Sequence, residues 1–137
     1  MTVKIHSPNL IKTVAGLKAL IAGIPIAAKQ SSRIVAEHVL DLSLNSTPSC
    51  PEDTGKLRES GRVEPVKEGY AVLYGGAQFG VDYAAYVHDD LRPRKYKRPG
   101  SGPKFVETHM LRQTENAKPK IAAVFNELIE NIIRVYR

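Results

Sequence analysis

The sequence predicts an α+β fold in which a small antiparallel sheet packs with N-terminal and C-terminal helices. Apolar residues recur at helical spacing near both ends of the chain, and two short segments between them alternate apolar and polar residues. The 137 residues suffice for a single domain with a modest core. The predicted divisions are a helical region over 8–44, a junction turn over 48–60, a sheet region over 61–88, a basic loop over 89–102 and C-terminal helices over 103–136.

The first predicted helix begins after Ser7, because serine caps free backbone amides and Pro8 has no amide to satisfy. Its apolar residues have helical spacing, which predicts one stripe facing the core: Leu10, Ile11, Val14, Leu17, Ile21 and Ile24. Gly23 and Pro25 predict a kink or a break. A second helical stretch from about residue 26 is predicted to share a face rich in small residues: Ala28, Ser32, Val35, Val39 and Leu42.

Two strands are predicted over 61–66 and 69–76, because apolar residues there alternate with polar ones. The turn between them falls at Lys67–Gly69, and Pro65 places the first strand at a sheet edge. The segment VDYAAYVH, residues 81–88, fits either a third strand or a short helical turn.

The C-terminal region predicts two helices. Pro103 opens a short one, and Pro119 opens the last one, since proline is favoured at the first helical position. The last helix has an apolar face formed by Ile121, Phe125, Leu128, Ile132 and Tyr136.

The charge distribution points to a partner surface. The chain has 20 Lys and Arg against 14 Asp and Glu, a net charge of +6. The acid-free segment 92–104, which begins in the predicted loop and ends just after it, contains as many basic residues as the whole net charge: Arg92, Arg94, Lys95, Lys97, Arg98 and Lys104. Tyr96 interrupts them, and prolines and glycines predict irregular backbone. No apolar run approaches the length of a membrane span, so we expect a soluble intracellular product.

The tripeptide Asp53-Thr54-Gly55 is the one that holds the catalytic carboxylate of aspartic proteases. Such an enzyme needs two carboxylates sharing a proton inside an all-β fold. This chain has one such tripeptide, charged flanks around it and a helical first third. A structural role is therefore favoured over peptidase activity.

The structural role is a junction between the first helical region and the sheet. Asp53 is predicted to accept backbone amides of the following turn, and Gly55 permits its tight geometry. Leu57 is predicted to turn inward as an anchor. The charged neighbours are expected to stay in water: Lys56, Arg58 and Glu59.

No catalytic, cofactor or metal site is predicted. Cys50 is the single cysteine, which excludes an internal disulfide and a multi-thiolate metal site, and it is read as a loop thiol. Three adjacent residues and one distant histidine lack metal-ligand spacing: His88, Asp89, Asp90 and His109. Phosphate-loop, nucleophile-elbow and dinucleotide motifs are also absent from the sequence.

From about residue 10 to the C terminus, the order of motifs resembles the minor capsid, tail-completion or neck proteins of tailed bacteriophages. The motifs that carry the resemblance are Asp53, Thr54, Gly55, Leu57, Arg58 and Ser60, then Tyr83, Ala84, Val87 and His88, then Phe105. The chain departs from the family pattern at 89–91, where Asp-Asp-Leu replaces a usual Gly-Thr pair.

The resemblance implies a structural protein without catalysis. It implies a small α+β subunit that forms a ring, commonly sixfold, at the head-tail junction of the virion after assembly in the host cytoplasm. A head-completion or connector protein would lie above the ring, and a tail-terminator or tail-tube protein below. The basic loop and the acidic pair Asp89-Asp90 are expected to meet charged neighbours, with residues 89–102 becoming ordered on docking.

Two further roles remain open for the basic loop. Within the ring, Arg94, Lys95, Lys97 and Arg98 can face the lumen and contact DNA phosphates without reading sequence. Alternatively, the chain is a free-standing basic nucleic-acid-binding protein that uses the loop, with Tyr96 stacking on bases.

Overall fold

The computed structural model describes residues 8–136, with side chains described for 11–112 and 116–136. Its elements in chain order are helix α1 (Pro8–Asn45), helix α2 (Lys56–Glu59), strand β1 (Arg62–Val66), strand β2 (Gly69–Leu73), a 3₁₀ turn (Ala77–Phe79), helix α3 (Ala84–Asp89) and helix α4 (Glu107–Tyr136). The long helices pack on each other, and α1 also covers the sheet. The predicted α+β class is confirmed. The predicted cap Ser7 lies outside the described residues.

The two predicted strands form an antiparallel pair with the predicted turn. Val66 pairs with Gly69, so Lys67 and Glu68 alone connect the strands. Helix α1 fastens to β2 through Ser32, whose Oγ accepts a hydrogen bond from the Tyr70 amide at 3.0 Å. The third segment left open by the sequence is helix α3, not a strand.

Neither long helix is divided at its proline. The sequence predicted a kink or a break at Gly23 and Pro25, and a break is wrong, because α1 continues through both residues. The two predicted C-terminal helices are likewise one helix, with Pro119 inside it and its start at Glu107 rather than Pro103. An interior proline removes one backbone hydrogen bond. The side-by-side packing of α1 and α4 along their lengths offsets that loss.

The face of α1 that contacts α4 is made of small residues. A Cβ atom on Gly16 would lie 3.5 Å from Tyr136 Cβ, and one on Gly23 would lie 2.6 Å from Leu128 Cδ1. The helices therefore run antiparallel at close range. From α4, the predicted apolar face is confirmed as the half-buried partner of α1 from Ile121 to Ile132, and Tyr136 at its end is 37% exposed.

The large apolar stripe predicted to face the core is instead exposed. Ile11 is 59% exposed, Ile21 is 69% exposed, and Val14, Leu17 and Ile24 are also exposed. The Leu10 side chain lies outside the described ones. Helical spacing identified the stripe correctly, but glycines provide the internal contact, so the stripe has no partner within the described chain. The face predicted for the second stretch is partly right, because Val39 is buried and Ala28 is exposed.

Helix α1 also corrects the expectation about membrane-length segments. By length and composition, Ile11–Asn45 includes a stretch able to cross a bilayer, with a mean hydropathy of 1.5. Only 6% of that stretch is buried within the chain. Length and hydropathy do not distinguish a membrane span from a helix that packs against another protein. The low burial of the stretch shows that α1 has an apolar surface that the described chain does not cover.

The core lies at the other end of the molecule, where α1 meets the junction. Its buried members are Cys50, Leu57, Val81 and Phe105, and around them pack Leu44, Tyr74, Ala84, Val87 and Val106. The molecule is thus a small packed module from which the helical hairpin formed by α1 and α4 extends.

Candidate functional site

The junction motif, defined as residues 53–60, folds much as its residue types require. Gly55 has φ 86°, a left-handed conformation that favours glycine, and helix α2 starts directly after it. That short helix turns Leu57 inward, where it is 5% exposed and joins the core. The predicted roles of Gly55 and Leu57 are confirmed.

Two polar predictions for this motif are wrong. Asp53 caps no amide of α2, and its carboxylate instead contacts Lys97 Nζ in the basic loop. Arg58 does not stay in water, because its side chain is only 15% exposed. Its guanidinium donates to the Cys50 carbonyl oxygen at 3.0 Å and lies 3.7 Å from the Glu52 carboxylate. A backbone carbonyl beside the core offered a better partner than solvent.

Ser60 links the junction to the segment after β2. Its buried hydroxyl donates to the Leu57 carbonyl oxygen at 2.6 Å and accepts from the Gly75 amide at 2.8 Å. Both bonds are protected from water, so Ser60 holds these two turns at a fixed distance. The sequence resemblance singled out Ser60 without indicating this function.

Gly75 and Gly80 provide a matched test of how closely the segment after β2 is packed. Both have positive φ, 84° and 64°, but a Cβ on Gly75 would lie 3.0 Å from the Val81 carbonyl oxygen, whereas one on Gly80 meets nothing within 4 Å. We expect Gly75→Ala to lower the free energy of unfolding by about 3 kcal/mol and Gly80→Ala by about 1 kcal/mol. Urea unfolding of both variants measures the difference, and equal losses would contradict the packing at Gly75.

Cys50 lies in a loop, as the sequence predicted, but its thiol belongs to the core. It is fully buried, and burial raises the pKa of its thiol to about 12. In the unfolded chain the thiol has its ordinary pKa of 9.0, so this group's contribution to stability is complete below pH 9 and declines as pH rises from 9 to 12. We expect no reaction with a thiol reagent at pH 8 until the chain is denatured. Lys18→Cys, at an exposed site, is the control that should react at once.

The family-like segment on α3 contributes to the same core. Ala84 and Val87 pack against it, and the His88 ring contacts Phe105 edge to face with centroids 5.1 Å apart. His88 Nδ1 donates to Asp89 Oδ1 at 2.8 Å, and Nε2 faces the Glu107 amide at 3.5 Å. Tyr83 precedes the helix and is 39% exposed. Helix α3 therefore presents one face to the core and leaves Tyr83 at the surface.

His109 has a structural role that the sequence did not reveal. It is buried, and its Nε2 donates to the carbonyl oxygens of Ser46 at 3.1 Å and Pro48 at 2.9 Å. It thereby ties the start of α4 to the segment that follows α1. Within the described residues, no group of three His, Cys, Asp or Glu side chains has a metal-binding arrangement.

The basic loop is extensively paired with carboxylates of its own chain. Asp90, whose side chain is 6% exposed, accepts from Arg92 Nε at 2.9 Å and also contacts Arg94. From the junction, Asp53 contacts Lys97, and a Glu52 oxygen lies 3.6 Å from Arg98 Nη1. These partners are up to 44 residues apart in sequence, so no local sequence pattern predicts that they pair.

Lys104 completes the pairing at the far end of the loop. Its ammonium lies 2.7 Å from Asp89 and 3.0 Å from Glu107. The hydrogen bonds from Lys104 and then His88 lower the pKa of the Asp89 carboxyl, and those to Asp89 and Glu107 raise the pKa of Lys104. The acidic pair that the sequence assigned to a neighbouring subunit thus binds cations of its own loop.

The backbone also fastens the loop to the junction. The Ser49 amide donates to the Gly100 carbonyl oxygen at 2.9 Å, and the Gly102 amide donates to the Ser49 carbonyl oxygen at 3.1 Å. The sequence predicted a loop ordered only on docking, whereas these bonds hold its end in the isolated chain. A cleft of about 580 Å³ remains between the loop and the junction. Its walls include Pro51, Asp53, Leu57, Tyr83, Val87 and Tyr96.

The cleft offers contacts for binding and has no arrangement for acid proteolysis. Asp53 is exposed and its carboxylate contacts Lys97, whereas an acid protease needs two carboxylates close enough to share a proton. Tyr83 and Tyr96 give the cleft apolar surfaces with polar tips, which suit a protein partner.

Protein-family models, curated proteins and solved structures were each compared with the chain, and none of the three comparisons found a match. The likeness to phage neck proteins therefore rests on the order of the sequence motifs.

Proposed function

We propose that the chain is a structural virion protein of a tailed bacteriophage, a subunit of the neck or tail-completion ring that joins the DNA-filled head to the tail. The observation that supports this proposal is the convergence of the family-like motifs. Leu57, Ala84, Val87 and Phe105 are far apart in sequence and meet in one core. Motifs that jointly build one module are more informative than the same matches scattered over a surface.

In this proposal the junction and the basic loop form the assembly surface. The loop is fixed to the junction by ion pairs and backbone bonds, so it presents a preformed edge with the cleft beside it. Lys95 is exposed, and none of the ion pairs among the described residues includes it. A preformed surface loses less conformational entropy on docking than a free loop, which favours binding to adjacent ring components. The subunit acts by binding, without catalysis or a cofactor.

The proposal is tested by electron microscopy of lysates from the parent phage or prophage with a stop codon at Lys56. We expect full heads and finished tails that remain unjoined. Complementation with the intact chain should restore joined particles, which controls for effects on neighbouring genes. Intact infectious particles from the stop-codon strain would overturn the proposal.

The role of the loop is tested by replacing Arg94, Lys95, Lys97 and Arg98 with Glu. Lys97 and Arg98 form exposed ion pairs, which contribute little to folding, and Arg92 remains to pair with the shielded Asp90 carboxylate. We therefore expect the monomer to unfold within about 2 kcal/mol of the parent. Virion yield should fall at least tenfold, because the basic loop loses the ion pairs that hold it to the junction and its charge is reversed. The matched control reverses four exposed cations elsewhere: Lys12, Lys67, Arg112 and Lys120. Equal yields from the two quadruple variants would remove the loop from the assembly surface.

The nucleic-acid-binding alternative is less well supported by the geometry. Phosphate binding at this loop requires cations that are free to replace counterions. Here most of them already contact Glu52, Asp53, Asp89 or Asp90. Steeply salt-dependent binding of duplex DNA by the purified chain, abolished in the loop variant alone, would restore this alternative.

A further inference from the structure

The two sides of the α1–α4 hairpin differ in chemistry. Gly16 and Gly23 of α1 meet Ile132 and Leu128 of α4 along the contact line. One residue further in a helix is a rotation of about 100°. Because the helices are antiparallel, the residues one position after each contact face the same side of the hairpin on both helices. The residues at these four positions are Leu17, Ile24, Ile129 and Ile133.

All four are exposed in the chain. Leu17 is 54% exposed and Ile133 is 50% exposed, with Ile24 and Ile129 close behind. Ile21, four residues after Leu17, widens the surface and is 69% exposed. We call these five residues the hairpin patch. The positions one step before each contact, on the opposite side, carry Ala15, Ala22, Glu127 and Asn131. That side also includes the exposed Ile26, which lines a smaller cleft with Glu127 and Asn131.

The hairpin patch continues toward the sheet. Beyond Ile24 and Ile129, an open apolar cleft of about 640 Å³ lies between α1, β2 and α4. Its lining includes Ala28, Val35, Val72, Met110, Ile121 and Phe125, and Met110 is 51% exposed. Apolar surface thus runs along one side of the hairpin and into this cleft.

We propose that the hairpin patch binds a second copy of this chain, so that two hairpins form an antiparallel four-helix bundle. The five side chains of the patch together expose roughly 500 Å², and the cleft walls and flanking residues add the rest of the roughly 800 Å² per partner that a standard interface buries. Two-helix hairpins with one apolar side reach a closed core by this arrangement. The pairing concerns the free chain and goes beyond the proposed ring.

Charge supports the two-fold arrangement. Lys18 follows Leu17 and Glu130 follows Ile129, so these residues border the patch on α1 and α4 respectively. A two-fold axis parallel to the helices places α1 of each copy against α4 of the other. Lys18 of each copy then lies beside the partner's Glu130, at about the same height along the bundle. Neither residue belongs to an ion pair among the described residues of one chain.

The first test measures the mass of the purified full chain by light scattering at high micromolar concentration. We expect twice the chain mass of 15.1 kDa. Ile24→Asp with Ile129→Asp should produce a monomer whose circular dichroism remains helical. The matched control, Ala22→Asp with Asn131→Asp on the opposite side, should remain a dimer. A monomeric parent chain, or loss of the dimer in the control as well, would overturn the proposal.

The second test exchanges the bordering charges and does not disturb the patch. Lys18→Glu should weaken dimerisation about tenfold, because it places two like charges at both seams. Lys18→Glu combined with Glu130→Lys should restore the parent affinity. Failure of the exchange to rescue would refute the two-fold arrangement. A monomer that instead floats with phosphatidylglycerol vesicles would assign the patch to a membrane surface and equally reject the pairing. If the purified chain forms a dimer but the stop-codon strain still produces intact virions, the proposed ring is rejected and the pairing is retained.

Discussion

Replacing Leu57 with Asp is expected to unfold the packed module. Leu57 is 5% exposed in a core of four buried residues, so few contacts can compensate for its loss. The substitution removes an apolar side chain and places a carboxylate where water does not reach. We expect a loss of more than about 4 kcal/mol, a large part of the 5–15 kcal/mol typical of a domain. Urea unfolding followed by circular dichroism measures it.

The control for this prediction is one residue away. Lys56 is exposed on the same short helix, so Lys56→Asp should change the free energy of unfolding by less than about 1 kcal/mol. Leu57→Met, which conserves volume, should cost less than about 1.5 kcal/mol. If Leu57→Asp unfolded no more easily than Lys56→Asp, then Leu57 would not be an anchor of the core.

Phe105→Ala is expected to have the second largest effect. Phe105 is 1% exposed, and its ring meets Tyr74 and His88 edge to face, with centroids 5.2 Å and 5.1 Å away. Truncation leaves a cavity and removes both aromatic contacts. We expect a loss of about 3–5 kcal/mol. The Tyr74 hydroxyl, which shares a 2.6 Å hydrogen bond with Ser43, should become more mobile and exchange its proton faster in NMR spectra.

Phe79→Ala provides the comparison for the aromatic contribution. Phe79 is 37% exposed and lies under the Arg62 guanidinium, 4.9 Å from its ring centroid. We expect a loss of about 1 kcal/mol, because the ring already contacts water and a surface cation–π contact is weak. Similar losses from both phenylalanine variants would show that the core does not depend on Phe105.

Local patterns were sufficient for the elements whose structure depends on neighbouring residues. Alternation and a short turn predicted the hairpin of β1 and β2, and the left-handed glycine at Gly55 followed from the junction reading. The inward position of Leu57 followed from its place among charged residues. In each case the deciding interactions span only a few residues, so the sequence contains the relevant information.

Interactions between distant residues were beyond such patterns. Hydrophobic spacing found the stripe on α1, but spacing does not say whether its partner belongs to the same chain. The face of α1 that packs on α4 is instead the one with Gly16 and Gly23. In a sequence, glycine indicates an unstable helix and not a packing surface. The contact of Lys97 with Asp53 joins the loop to the junction across 44 residues. The sequence shows that Lys97 and Asp53 are charged, but it does not show that they are in contact.

The separation of the packed module from the hairpin has a dynamic consequence. Helix α1 is 38 residues long, about 57 Å at the usual rise, and its N-terminal half packs on a single other helix. Amide protons should therefore exchange through local opening at the far end of the hairpin and through global unfolding near His109 and Phe105. The chain would then have a gradient of cooperativity along its long axis, with a firm base and a tip that a neighbour can make rigid.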